Sequence, residues 1–403
     1  MDTILILPFH GIGHFNGLFG VARALGNTHD VIFAGSGYFL NHVSKHGFTF
    51  RTLASHPFGL GLEGWIHEVR KSKYPLLKNI RDRWNDTMYH ERKAELTKVL
   101  AEYKPVHVLI DTQQATDIVV VKAIDPSIRI SLVSLTPPYL LIPGLPPVNS
   151  LALPGDSDHA YQQSFNAIQS KALRQRFRYF GLDDRTMVSR RLRRNNLQHL
   201  EDVYPSLITL AVKDVDQYIL TYKEFDFHHP HLDGFQYVGP HPDKKIPVGE
   251  VKSKDKKVIY CSFGTVPSQR DIPGFLTKLN EAIKDLDCEL IVGSTTNWID
   301  QSEVLSRSDI FITHGGINSV HDAIRFRVPM IVYPIDSNYD QNGNSSRVVY
   351  HGLGLRGDLD HDSPAEIKQK IITLFTDPGF HRNLQKFSSY NYSLDNFIQM
   401  LLS

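Results

Sequence analysis

The chain has 403 residues, which is enough for two domains of roughly 200 each rather than one core. Lys and Arg number 44 against 43 Asp and Glu, a formal charge of +1 that excludes a chain built as a whole to neutralise nucleic-acid phosphates. With 41% hydrophobic residues, 22% charged and only Cys261 and Cys288 as cysteines, it is neither disordered nor held by a disulfide framework, and it reads as a protein of a reducing compartment.

The opening run Ile4-Leu5-Ile6-Leu7 is too short for a signal peptide and has no basic leader. No stretch of about eighteen apolar residues follows, so the expectation is a soluble, cytoplasmic protein. Short runs rich in Val and Ile alternate with segments of helical period, the pattern of parallel sheets with crossover helices. In the first half the expected strands are 3–8, 30–34, 106–111, 129–135 and 217–221. Leu18, Val21, Ala22 and Leu25 form one apolar stripe of a helix after the first strand. The second half restarts with strands at 257–262, 289–292, 309–313 and 329–333. Between the halves, Pro240-His241-Pro242-Asp243-Lys244-Lys245-Ile246-Pro247 and the charged stretch 252–257 mark a linker, with the boundary near residue 245. The expected architecture is α/β, with two doubly wound domains, 1–245 and 246–385, facing across a cleft.

Two inserts break the rhythm of the first half. Residues 54–104 carry Gly59, Gly61, Gly64 and Trp65 before a helical stretch. Residues 136–160 hold Pro137, Pro138, Pro143, Pro146, Pro147 and Pro154 among leucines at the carboxyl end of a strand, where ligands of such sheets bind. That loop has two readings, a pocket wall or a surface-packed segment. From 171 to 194 nine basic residues (Lys171, Arg174, Arg176, Arg178, Arg185, Arg190, Arg191, Arg193 and Arg194) meet only Asp183 and Asp184. With Phe177, Tyr179 and Phe180 nearby, the run fits either a peripheral contact with an anionic membrane or a solvated helix face.

The segment richest in chemistry is 309–329. A strand ends at Thr313, Gly315-Gly316 makes a tight turn and a helix opens near Asn318, so free backbone amides and a positive dipole end form an anion site. His314, Asn318 and Ser319 add side-chain donors there, enough to hold a diphosphate without a metal. Asp322 lies one turn beyond Asn318, placed to accept from a ribose diol. Asp340-Gln341, in a later loop, suits further hydroxyls.

His314-Gly315-Gly316-Ile317-Asn318-Ser319, then Asp322, Val328-Pro329, Pro334 and Asp340-Gln341 with Asn344, resembles the donor signature of the UDP-glycosyltransferase superfamily, family 1 type. Ser262-Phe263-Gly264-Thr265, Val238-Gly239-Pro240 and Gly11-Ile12-Gly13-His14 extend the resemblance over nearly the whole chain. It implies a GT-B fold and an inverting glycosyltransferase like the bacterial enzymes that act on small molecules. By this resemblance His314 would contact the β-phosphate, and Asn318 with Ser319 the α-phosphate, with Gly316 also among the donor-binding residues. Asp322, where the family usually has Glu, would take the ribose, and Asp340 with Gln341 the sugar. Gly13, Ser262 and Thr265 would lie near the diphosphate. Trp298, with Gln301, would stack on uracil, although Asp300 replaces the usual Pro. Ile317 stands where the plant enzymes have Trp. Arg327 replaces a usual Gly, at a cost of about 1 kcal/mol if its φ is positive. The fold also implies that residues 386–403 form a helix packing back on the first domain, which would bind the acceptor while the second binds the donor.

The reacting group would come from the turn Pro8-Phe9-His10-Gly11-Ile12-Gly13-His14, which sets His14 at the cleft. An imidazole with a pKa of about 6.5 can take the proton of an attacking hydroxyl, given a carboxylate to orient it. His14 and Asp111 match the family's base and carboxylate; His10 is a second candidate base and Asp117 a second candidate carboxylate. No acidic pair suited to a metal is apparent, and His228-His229-Pro230-His231 has no Cys or spaced acid to make it a zinc site.

A dinucleotide-binding oxidoreductase is excluded because the strand at 30–34 ends without an acid, and a serine hydrolase because no Gly-x-Ser-x-Gly elbow exists. A GT-B nucleotide-sugar epimerase and a non-catalytic nucleotide-sugar binder remain as alternatives. The expected partners are a UDP-sugar, with glucose favoured by Asp340-Gln341, and a hydrophobic hydroxylated small molecule.

Overall fold

The computed structural model describes residues 1–69, 71–202, 204–229, 234–243, 256–264, 270–293 and 299–403. The expected boundary near residue 245 lies outside them. Residues up to 237 build a seven-stranded sheet from β1 (Thr3–Leu7), β2 (Asp30–Ser36), β3 (Thr49–Leu53), β4 (His107–Asp111), β5 (Arg129–Ser134), β6 (Gln217–Ile219) and β7 (Phe235–Tyr237). The order is β3-β2-β1-β4-β5-β6-β7, parallel throughout. The central strands are apolar on both faces because helices cover both. Ile4, Leu5, Ile6 and Leu7 are fully buried.

A second parallel sheet contains β8 (Lys257–Ser262), β9 (Cys288–Gly293), β10 (Ile310–Thr313), β11 (Met330–Val332) and β12 (Gly354–Arg356), in the order β12-β11-β10-β8-β9. In each sheet the order of strand addition reverses once, and that switch point opens a crevice. In the first sheet β1 lies beside β4, with Leu7 opposite Ile110, so the chain leaving β1 and the end of β4 emerge side by side. In the second, β10 lies beside β8, with Thr313 opposite Ser262. Such crevices outside the carboxyl ends of strands are where open α/β sheets bind ligands.

The helix Ile12–Leu25 buries Leu18, Val21, Ala22 and Leu25 on its apolar stripe. One apolar cluster joins these residues to Val320, Ala323 and Ile324 of the second domain, so the two domains share a core. The segment after the second sheet forms three helices, Pro364–Thr376, Gly379–Ser388 and Leu394–Leu402. The last returns to the first domain: Phe397 lies 5.1 Å from the Tyr218 ring, and Tyr218 Oη donates to the Met400 carbonyl at 3.2 Å.

The proline-rich loop after β5 spans the cleft. A Cβ on Gly343 would collide with the carbonyl of Val148. Ser346 Oγ donates to the Ser150 carbonyl at 3.2 Å, and Arg356 Nη1 to that of Leu151 at 2.9 Å. Beneath it the Arg347 guanidinium donates through Nε (3.0 Å) and Nη2 (2.6 Å) to Asp226 of the first domain, whose other oxygen accepts from Tyr237 Oη at 2.5 Å. These groups border a small pocket lined by Pro137, Leu145, Val148 and Phe227.

The basic run 171–194 does not act as one surface. Arg190 and Arg191 are drawn onto the buried Asp86 carboxylate, and Arg194 reaches it at 3.5 Å. Tyr179 is buried under the Arg83 guanidinium, 4.2 Å from its ring. Lys171, Arg174, Arg176 and Arg178 face solvent. No helix among the described residues is long and apolar enough to cross a membrane.

Candidate active site

His14 sits on the first turn of the helix that follows β1, and Asp111 is the last residue of β4. Their side chains meet at 2.6 Å, His14 Nδ1 to Asp111 Oδ2. The other carboxylate oxygen accepts from the Gln113 backbone amide at 2.9 Å, capping the short turn after β4 and fixing the carboxylate's plane. When the neutral imidazole donates to this carboxylate through Nδ1, its Nε2 keeps a lone pair. Asp111 is 3% exposed and His14 20%. Burial works against charge on His14, but the Asp111 charge and hydrogen bond, with Asp340 across the cleft, raise its pKa above the ordinary value.

The competing assignments separate on the same geometry. Asp117 is fully buried on the next helix and takes two hydrogen bonds from Arg92, at 3.0 and 2.6 Å. His10 is pushed down to about 4 by burial, with Arg92 and His56 adding to the effect.

On the opposite wall the helix Ile317–Phe326 opens after Gly316 with no side-chain cap and no acid in its first turn. Its first-turn amides and dipole end point into the cleft, where the Asp340 carboxylate takes a hydrogen bond from the Ile317 amide. The His314 ring fills the space above two glycines: a Cβ on Gly264 (φ +75°) would sit 2.6 Å from its Cε1, and one on Gly316 2.6 Å from its Nε2. Burial pushes His314 down to about 4, which keeps it neutral, and its Nδ1 has no protein partner. Asn318 Nδ2 donates to the Gly13 carbonyl at 2.7 Å, so the two helix starts touch across the cleft. Ser319 is the next residue of that turn.

Asp322 accepts from Gln301 Nε2 at 2.7 Å, and burial pushes its carboxyl up to about 6 against that hydrogen bond. Asp340 precedes the helix Gln341–Tyr350 and accepts from Asn344 Nδ2 at 2.6 Å. Burial raises its pKa. Gln341 Oε1 is committed to the Ile335 and Asp336 amides, at 2.9 and 3.0 Å. Ser262 ends β8, where its Oγ accepts from the Gly264 amide at 3.4 Å. Thr265 and Trp298 lie outside the described residues. His229 belongs to the Tyr237–Asp226 network, 3.1 Å from Tyr237 Oη, while His231 lies outside the described residues. Among the described residues no group of three or more His, Cys, Asp or Glu side chains is arranged to hold a metal ion.

Sequence reasoning missed Gln113 and Tyr139. Gln113 Nε2 donates to Tyr139 Oη at 2.5 Å. Burial, together with the Asp340 and Asp111 charges, holds the Tyr139 phenol well above its ordinary pKa. A lone Tyr in a proline-rich loop carries no motif that would have marked it.

Two Rossmann-like domains with a His–carboxylate pair on one wall of the cleft and a helix start on the other define a GT-B protein. Among solved structures the glycotransferase of kitacinnamycin matches with a TM-score of 0.73 at 17% identity, covering 100% of this chain and 99% of that one. The calicheamicin glycosyltransferase CalG4 matches with 0.63 at 15%, covering 100% and 98%. The family described as UDP-glucoronosyl and UDP-glucosyl transferase matches residues 282–393. Zeaxanthin glucosyltransferase of Pantoea ananas is 30% identical over 190 residues, 41% of this chain and 43% of that protein. The uncharacterized UDP-glucosyltransferase YdhE of Bacillus subtilis is 29% identical over 179 residues, 38% and 42%. The chain thus spans less than half the length of these curated relatives, and over the matched residues it is similar to the UDP-glycosyltransferases.

Proposed function

We propose that the protein is an inverting hexosyltransferase that moves glucose from UDP-glucose to a hydroxyl of a hydrophobic small molecule. The observation that carries this reading is the 2.6 Å contact of His14 with Asp111, facing an uncapped helix start across the cleft. Binding a nucleotide sugar needs no such pair, whereas activating an acceptor hydroxyl does.

In the step proposed, the acceptor oxygen attacks the anomeric carbon while its proton passes to His14 Nε2. The bond from that carbon to the diphosphate oxygen breaks on the opposite face, which inverts the configuration. Asp111 stabilises the imidazolium as it forms. The negative charge growing on UDP meets the amides at Gly316 to Asn318, the Ser319 hydroxyl and the His314 ring. Asp322 holds the ribose with Gln301 positioning it, and Asp340 with the Gln341 amide NH2 takes sugar hydroxyls. The names of the relatives, one a zeaxanthin glucosyltransferase, support a glucosyl donor and an apolar acceptor.

Calorimetric titration with UDP, TDP and UDP-glucose tests the donor half without an acceptor. The reading expects micromolar binding of UDP that is lost in His314→Ala and kept in His14→Ala. Absence of nucleotide binding in the unmodified protein would overturn it.

A further inference from the structure

The geometry points to a docking surface for an anionic lipid bilayer, formed by the helices Pro75–Trp84 and Ser157–Arg178 with their flanking turns. The second helix runs 22 residues yet fully buries only Ser157 and Ala160. Its C-terminal part turns Leu173 and Phe177 to solvent, and Phe180 follows directly; Phe177 is 77% and Phe180 81% exposed. The first helix exposes Leu76, Leu77 and Trp84, the last at 72%, with Tyr74 exposed just before it. Arg83 joins the two ends: its guanidinium covers the Tyr179 ring at 4.2 Å, and its Nη1 donates to the Leu182 carbonyl at 2.9 Å.

Charge selects the occupant. Residues 159–182 and 71–81 contain no Asp or Glu, and they carry Lys171, Arg174, Arg176 and Arg178 on one side, with Lys71, Lys73, Lys78 and Arg81 on the other. Exposed aromatics interleaved with long cationic side chains suit the headgroup boundary: rings enter the acyl edge while cations reach phosphates. The cations at 190 and 191 take no part, being held by Asp86.

The surface adjoins the acceptor end of the cleft. The helix Leu62–Val69 is tied to the helix Pro75–Trp84 through His67 Nε2 and Asp82 at 2.8 Å. It carries Trp65, whose ring meets His56 edge-on at 6.1 Å, and His56 lies 5.7 Å from His10. A docked protein would therefore face its acceptor entrance to the bilayer and draw a hydroxylated amphiphile from it. That delivery rests on the acceptor reading above, while the docking stands without it.

Flotation of the full chain with vesicles of phosphatidylcholine alone, and of an equimolar mixture with phosphatidylglycerol, tests the docking. The expected result is binding to the anionic vesicles at low salt, release at high salt and no binding to the neutral ones. Arg174→Gln with Arg178→Gln should lower the partition about thirtyfold, about fivefold for each cation removed. Phe177→Ser with Phe180→Ser should lower it severalfold at unchanged charge. No flotation with either vesicle, equal binding to both, or variants that float like the unmodified protein would overturn the proposal. UDP titration of the same samples separates the two readings. Vesicle binding without nucleotide binding removes the transferase reading and leaves the docking surface in place.

Discussion

Replacing Asp111 by Asn keeps the size and removes the charge that faces His14 at 2.6 Å. An imidazolium and a carboxylate whose charge centres lie about 4 Å apart interact by about 4 kcal/mol at an effective dielectric of 20. That charge pair exists fully only once His14 has taken the acceptor proton, so the loss falls on the transition state. It predicts a kcat about a thousandfold lower. The pH profile adds a second readout. A general base must be neutral before it reacts, so activity falls as pH drops through the His14 pKa, which lies above the ordinary histidine value. Without the Asp111 charge, burial dominates and the acid limb of the profile moves to lower pH. Release of UDP from UDP-glucose, measured with a panel of phenolic acceptors between pH 5 and 9 (about the range in which a histidine titrates), reads both effects. UDP affinity should be unchanged. A loss under tenfold, an unmoved acid limb, or a parallel loss of UDP binding would refute the reasoning.

Asp322 is pushed up to about 6, so its native form binds protons more readily than its unfolded form. The protein then gains stability as pH falls through 6, and the charged carboxylate costs about 1–2 kcal/mol near pH 7, discounted for partial exposure. Asp322→Asn should therefore raise the thermal midpoint at pH 7 while weakening UDP binding about tenfold, as seen by calorimetry. Asp226 shows the opposite sign. Burial opposes its charge, but Arg347 and the hydrogen bonds from His229 and Tyr237 hold its carboxyl far below the usual range. Its stabilisation is present above the ordinary carboxylate pKa and is lost only in strong acid. Asp226→Ala strands Arg347 across the domain interface and should cost about 3–5 kcal/mol in denaturant unfolding. Gly343→Ala drives a Cβ into the Val148 carbonyl. It should cost about 1–3 kcal/mol and raise the KM for the donor, because the displaced helix starts at Asp340-Gln341.

Both halves of the site were legible because each stands on a strand–turn–helix unit. His314 directly follows an apolar run and precedes Gly315-Gly316, while His14 comes a short turn after its apolar run, with Gly11 and Gly13 marking that turn before it. The pairing of His14 with Asp111 comes from the family resemblance and from Asp111 ending an apolar strand; the strand order that makes β1 and β4 neighbours at the switch point emerges only in the structure. Three edge strands were not legible. β3 reads Thr-Phe-Arg-Thr-Leu, half polar because one side faces solvent, while β7 and β12 have three residues each, too few for a periodic signal. The role of the loop after β5 was also out of reach. Its prolines mark rigidity, but its contact with the second domain depends on Gly343, Ser346 and Arg356, some 200 residues away. The basic run misled for a related reason. Arg190 and Arg191 look solvated by composition, and only the fold brings Asp86, far back in the chain, beneath them. Arg327 behaved as its position required, ending its helix at φ +55° with Nε donating to Ser388 Oγ at 2.8 Å.

The anomeric configuration of a glucoside formed from UDP-glucose, read from its proton coupling by NMR, tests the central claim most directly. The account predicts a β-linked product from the α-linked donor, with no product above background from His14→Ala. An α-linked product, or transfer that survives the loss of His14, would contradict it.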